Sequence, residues 1–473
     1  MVFSSLLFIF LFLALNLLVY WLVDKKYRNH VLLGFSLVFY AWGGPEFLLL
    51  LIGDTFVCWL FALLIDRAQT PQQKKRYLIL PLIILLGLLG VFKYTGFILG
   101  NWKALFGVPE VIPQFLLPIG ISFYTFQLIS YVVDVYRGDV APQPRFWKLL
   151  LYASLFHQCI AGPIVRYETI ADEIDERHVT RADVYAGIRR FAVGLAKKAV
   201  LANSCASVAD SLLNGGVDAL ASQPAATLWL AMLFYMFQIY FDFSAYSDMA
   251  IGMGRMVGFH YLENFDHPYM AYSVQNFWRR WHISLSTWFR DYVYIPLGGS
   301  RCPDKIIVRN YLIVWSLTGF WHGASWNFIF WGLFYFAFLI LERFVIKGRM
   351  PRWIGHVYTL LVVYFGWVLF RFPDSGDLAT VIAGMFGFGS GGILTLQTET
   401  LFLQNVFLII FCVIACTDFG TRLRNRILQD VQPGTALFKA VMVIDAITPI
   451  FLVLLATVAL VGDSYNPFIY FRF

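Results

Sequence analysis

From Asn310 to Leu341 the chain runs for 32 residues without one charged side chain. As a single helix this run would be about 48 Å long, against a bilayer hydrocarbon core of about 30 Å. Basic residues stand at both of its ends: Arg309 on one side, Arg343 and Lys347 on the other. Basic flanks favour the cytoplasmic face, so two short arms are expected rather than one pass, with Gly319 and Gly323 bracketing the bend. His322 lies about twelve residues into the run, which places it near mid-membrane in either arrangement. An ionisable side chain at that depth is costly and marks a functional candidate.

The rest of the chain agrees with this reading. It is 59% hydrophobic and 14% charged, whereas soluble domains carry about 25% charged residues. An all-α, polytopic membrane protein is expected, with 1–473 forming one integral-membrane domain. Apolar runs fall near 3–23, 31–64 (two passes turning at Gly43-Gly44-Pro45), 78–99, 114–135, 149–163, 225–250, 310–341, 354–371, 401–417 and 440–462. They amount to about ten to twelve crossings or re-entrant passes. The first run lacks a basic leader and a small-residue cleavage site, so it is expected to be retained as a span.

Net charge is +7, concentrated in loops. Lys25, Lys26 and Arg28 follow the first pass; Arg67, Lys74, Lys75 and Arg76 follow the third pass, which ends near 64; Arg422, Arg424 and Arg426 precede the last. By the positive-inside rule these loops are cytoplasmic and both termini lie outside. Topology alone accounts for the charge, and no nucleic-acid partner is expected. The six cysteines show no zinc-type spacing, so neither a metal nor a structural disulfide is expected. A phosphate-binding loop, a nucleophile elbow and a dinucleotide fingerprint are all missing from the sequence, which argues against ATP-driven transport and against elbow-type serine hydrolysis. The polar stretch 165–190 reads as a cytoplasmic loop with short surface helices, followed by an amphipathic segment to about 213.

The tract 276–296 decides itself by magnitude. Arg279, Arg280, Arg290 and Asp291 would each cost about 3 kcal/mol at the bilayer centre. Together they rule out a lipid-facing span. The tract must lie at the interface, where Trp278, Trp281 and Trp288 suit the aromatic belt, or dip inward shielded by protein.

Chemistry centres on two histidines. Desolvation favours the neutral form of an imidazole, which can then take a proton from an attacking hydroxyl. His322 fits that role; the alternative is a core histidine bonded to Ser325 or Asn327. His282, in the arginine-rich tract, is the second candidate, with Ser286 one turn on to orient it. Arg279, Arg280 and Arg290 suit phosphates or an acidic carrier protein. Trp281, Ser286, Asp291, Trp321 and Asn327 complete the expected donor and substrate contacts. Asp242 and Asp248, six residues apart on different helical faces, read as supporting residues that pair with those arginines or cap.

The segments LLPIGISFYTFQLISYVVDVYRGD (116–139), AGPIVRY (161–167), YFDFSAYSDMAIG (240–252), NFWRRWHISLSTWFRDYVYIPLGG (276–299) and FWHGASW (320–326) resemble the membrane-bound O-acyltransferase (MBOAT) family, in its alginate O-acetylation branch, related to the D-alanyl transfer proteins of teichoic acid. Ala245 stands where the family usually has glycine. The resemblance implies a ring of spans around a thin centre with a tunnel. It implies a catalytic His322 and a second functional position at His282. It implies transfer of an acetyl group from a cytoplasmic thioester, acetyl-CoA or an acyl carrier thioester, to an extracytoplasmic hydroxyl, with no permanently bound cofactor. The expected setting is the bacterial cytoplasmic membrane. The expected partners are membrane lipid, an extracytoplasmic SGNH-type acetyltransferase or polysaccharide assembly proteins, and an acyl carrier protein. Two alternatives stand beside this: transfer of D-alanine or a long acyl chain by the same fold, and a non-catalytic channel or flippase.

Overall fold

A computed structural model describes residues 2–108, 111–113, 115–159, 162–431, 434–462 and 466. Every regular element among them is helical, as expected where lipid offers no partner to backbone N–H and C=O groups. Among the described residues seven helices are long and apolar enough to cross a membrane, and Phe8–Leu22 forms a shorter apolar one. The chain is a multi-pass, all-α membrane protein.

Fewer long helices than apolar runs are found because several runs break. The 31–64 run divides at Gly43-Gly44-Pro45: Gly44 takes a φ of 147° and Pro45 opens the next helix, where its missing N–H costs nothing. The 149–163 run breaks at Leu155 into Phe146–Ser154 and Phe156–Cys159. The 114–135 run yields Ile121–Arg137. Residues 114, 160 and 161 lie outside the described residues.

Packing groups the chain into two compact units. The first comprises Met1–Phe191 and Tyr246–Glu263. Its helices include α1 (Ala14–Leu22), α2 (Arg28–Ala41), α3 (Pro45–Arg67), α4 (Pro71–Leu89), α5 (Ile121–Arg137) and α6 (Phe146–Ser154). Helix α3 is the hub, packed by α2, α4, α5 and α6. The polar stretch forms short helices at Tyr167–Asp175 and Arg181–Ala196.

The second unit comprises Ala192–Ala245 and Asn264–Phe473. The long helix α7 (Ala225–Met256) contributes Ala225–Ala245 to this unit. The second unit also holds α8 (Val274–Trp278), α9 (Ile283–Phe289), α10 (Asp304–His322), α11 (Trp326–Leu341), α12 (Arg352–Arg371), α13 (Leu396–Ala415) and α14 (Ala436–Gly462).

The uncharged run is therefore two arms, α10 and α11, packed as a hairpin. Glycine makes their close approach possible. A Cβ on Gly319 would stand 2.3 Å from the Phe328 carbonyl oxygen, and one on Gly332 would stand 2.3 Å from that of Trp315. Small residues at such crossings let helix backbones touch. Gly319 serves this packing, and the turn itself falls at Gly323–Ser325, directly after His322.

Candidate active site

The hairpin puts His322 on the last residue of α10, about 20 Å of helix beyond Arg309. It is 7% exposed and lies in an aromatic nest. Ring centroids of Trp321, Trp331 and Phe370 stand 5.0, 5.0 and 5.3 Å away, all near edge-on. Phe370 arrives at the end of α12. Asn327 holds that end in place: its Nδ2 donates to the carbonyls of Leu369 (3.3 Å) and Phe370 (3.2 Å). The Asn327 amide thus secures the wall beside His322.

His282 is reached from the other direction. The tract 275–299 lies outside the seven long apolar helices, and local capping fixes its course. Ser273 Oγ accepts from Asn276 N–H (2.9 Å), and the Glu342 carboxylate, at the end of α11, accepts from Val274 N–H (2.5 Å) and Gln275 N–H (2.9 Å). A carboxylate at a helix N-terminus answers both the unpaired N–H groups and the dipole. Helix α8 then ends, and His282 takes left-handed backbone angles (φ 46°, ψ 54°) before α9. Such angles are uncommon outside glycine and cost on the order of 1–3 kcal/mol.

Asn264 holds the imidazole. Its Oδ1 lies 3.3 Å from His282 Nδ1 and accepts from Ser284 N–H (3.1 Å) and Ser284 Oγ (2.8 Å). An amide oxygen only accepts, so the bond to Nδ1 requires the proton there and leaves a lone pair on Nε2. That Nε2 is fully enclosed and has no hydrogen-bond partner among the described residues. Burial pushes the His282 pKa down to about 3, so the ring is neutral at physiological pH. Ser286 does not orient it: the Ser286 hydroxyl donates to the Trp281 carbonyl (3.4 Å), and Ser284 stands beside the ring.

Trp321 links the two histidines. Its ring centroid is 5.0 Å from that of His322 and 5.9 Å from that of His282. Forty positions apart in sequence, the two candidates meet across one indole.

Beside this pair lies a cavity of about 200 Å³ lined by Arg279, Ser286, Arg290, Trp278, Trp315 and Thr318 among others. Neither histidine lines it. One aromatic layer intervenes, since Trp278 packs edge-on to Trp331 (5.5 Å), and Trp331 to His322. The three arginines differ. Arg280 is turned to Asp266, through its backbone oxygen (3.2 Å) and carboxylate (3.6 Å). Arg290 is neutralised by Asp291 at 2.6 Å. Arg279 is exposed and has no acidic partner among the described residues. The tryptophans of the tract do not form an interface belt. Trp278, Trp281 and Trp288 are buried, with Trp281 against Phe265 and Trp367, because the tract is shielded by protein.

Asp242 and Asp248 pair with other cations than the tract's arginines. Asp242 meets Lys198 at 2.6 Å, both side chains 3% exposed or less. Asp248 meets Arg190, also at 2.6 Å, in the first unit. Asn264 and Lys198 were missed in the sequence. Asn264 lies in an unpatterned loop, and Lys198 reads as one more lysine on an amphipathic helix.

The model of the MBOAT, membrane-bound O-acyltransferase family, matches residues 141–374. A probable alginate O-acetylase of Azotobacter vinelandii is 37% identical over the full length of both chains. One of Pseudomonas aeruginosa is 40% identical over 92% of this chain and 85% of its own. A peptidoglycan O-acetyltransferase of Helicobacter pylori is 35% identical over 84% and 82%. The chain belongs to the membrane-bound O-acyltransferase family and is an O-acyltransferase that uses an acyl donor as substrate.

Proposed function

We propose that the enzyme moves an acetyl group from a cytoplasmic thioester across the bacterial cytoplasmic membrane to an extracytoplasmic hydroxyl. The acceptor is a polysaccharide of the alginate or cellulose type, or a partner protein such as an SGNH-type acetyltransferase that passes the group on. The observation that carries this reading is the meeting of two buried histidines on Trp321, beside an apolar cavity lined in part by Arg279, which has no acidic partner among the described residues.

Arg279 binds the anionic part of the donor, a coenzyme A phosphate or an acidic carrier protein. The thioester arm occupies the cavity and reaches the histidines when the Trp278–Trp331 layer parts. His322 takes the proton of the attacking hydroxyl, the C–O bond forms, the C–S bond breaks, and the proton leaves with the thiol. The His282 Nε2 lone pair accepts a hydrogen bond from a reactant. Holding both reactants in a water-poor site supplies proximity. Thioester to ester transfer needs no ATP.

Replacement His322→Ala, in protein shown to be inserted and monodisperse, should lower ester formation by 10²-fold or more, the usual range for loss of a general base. Retained transfer would sink the proposed role. Competition among acetyl-CoA, acetyl carrier thioester and long-chain acyl-CoA identifies the donor; preference for a D-alanyl or long-chain thioester would redirect the reading to that chemistry.

A further inference from the structure

We infer that the first unit carries a binding site for one anionic phospholipid, separate from the acyl-transfer site. A groove of about 500 Å³ runs between Phe8–Leu22 and α2. Its lining is apolar apart from His30 at one end, and includes Leu11, Phe12, Leu15, Phe35 and Val38. Leu11 is 51% exposed and Val38 58%, so the groove opens outward along its length.

Two features select an occupant. The first is length. The lining of α2 runs from His30 to Trp42, about 18 Å of helix, close to the roughly 15 Å of hydrocarbon in one leaflet. That suits one acyl chain of one leaflet. The second is charge at one end only. Where α1 gives way to α2, the short turn Lys25–Tyr27 and Arg28 place three cations against the single acid Asp24. The Arg28 guanidinium is held there over the rings of Tyr20 (5.0 Å) and Trp21 (4.7 Å). His30 stacks on Trp147 at 4.5 Å, beside the same end. Clustered basic residues next to a membrane helix attract anionic headgroups. A chain in the groove with a phosphate at the cations satisfies both.

Gly34 makes the test clean. It lines the groove, and a Cβ there would meet nothing within 4 Å, so side-chain bulk can be added at this position, and Gly34→Leu is chosen to fill the groove. Full-length protein in vesicles of equal phosphatidylglycerol and phosphatidylethanolamine is extracted gently, and its bound lipid is weighed by native mass spectrometry. Wild type should retain phosphatidylglycerol at least five-fold over phosphatidylethanolamine. Lys25→Gln/Lys26→Gln should abolish the preference, and Gly34→Leu should abolish retention of either lipid. Equal retention of the two lipids by wild type, or unchanged retention in the monodisperse Gly34→Leu variant, would overturn the site. Displacement by soluble glycerol phosphate alone would overturn it too, by showing a phosphate site without a chain.

Discussion

His282 is neutral because it is buried, and it is held in a conformation its side chain does not favour. Asn264 fixes the ring through Nδ1, while Nε2 stays enclosed and has no hydrogen-bond partner among the described residues. This has a consequence for stability. The folded imidazole titrates at about 3, whereas in the unfolded chain it titrates near 6.5. As pH falls below about 6.5 the unfolded state takes the proton first, so the stability held at neutral pH drains away until the pH reaches about 3. At pH 4.5 the loss is about 3 kcal/mol. The variant His282→Gln cannot show that share. Apparent melting temperatures at pH 7 and pH 4.5 should therefore drop less for His282→Gln than for wild type. An equal drop would mean the ring is already charged or solvated in the fold. Activity above pH 5 should show no inflection from this residue.

Two elements set the geometry of the candidate site, and each offers a direct probe. The α10–α11 hairpin depends on backbone contact at Gly319, and an alanine there must push Phe328 away. Overpacking of this kind costs about 1–3 kcal/mol. Because His322 is three residues on, activity measured per folded molecule should fall further than expression does. The second element is the π-helical stretch Lys197–Ala202, which delivers Lys198 to Asp242 of α7. Phe243, the next residue of α7, packs edge-on to His282 at 4.7 Å. Lys198→Met alone strands a buried carboxylate and should cost about 3–5 kcal/mol, while Lys198→Met/Asp242→Leu should recover most of it. Thermal stability of the three proteins decides the point. This contrast also shows what a sequence can reveal. Helix breaks at Gly-Gly-Pro, the folding back of an over-long uncharged run, and the two histidines are local patterns with local physical causes. Lys198 and Asn264 act through partners 44 and 18 positions away, at Asp242 and His282. No periodicity reports such pairings. Nor could charge alone separate the three arginines, since Asp266 and Asp291 decide which of them is neutralised.

At the scale of the whole enzyme the distribution of charge bears on which face receives the donor. Within the second unit, the open end of the hairpin gathers the basic residues. Arg309 donates to the Leu297 carbonyl (3.1 Å), Arg343 lies over Tyr311, and the cavity bearing Arg279 and Arg290 is lined by Tyr311 and Tyr294 at that same end. His322 stands at the closed end of α10. By the positive-inside rule this end is expected on the cytoplasmic side. The donor should thus enter past arginines, while the acceptor hydroxyl approaches the hairpin tip from outside. Lys305 is exposed on the first turn of α10, so it reports on that face. In a Cys302→Ser background, Lys305→Cys should react with a membrane-impermeant maleimide in inside-out vesicles and stay protected in right-side-out ones. The reverse pattern would place the arginine-rimmed cavity outside, where no acyl thioester is supplied, and acyl transfer would have to run from a donor of another kind.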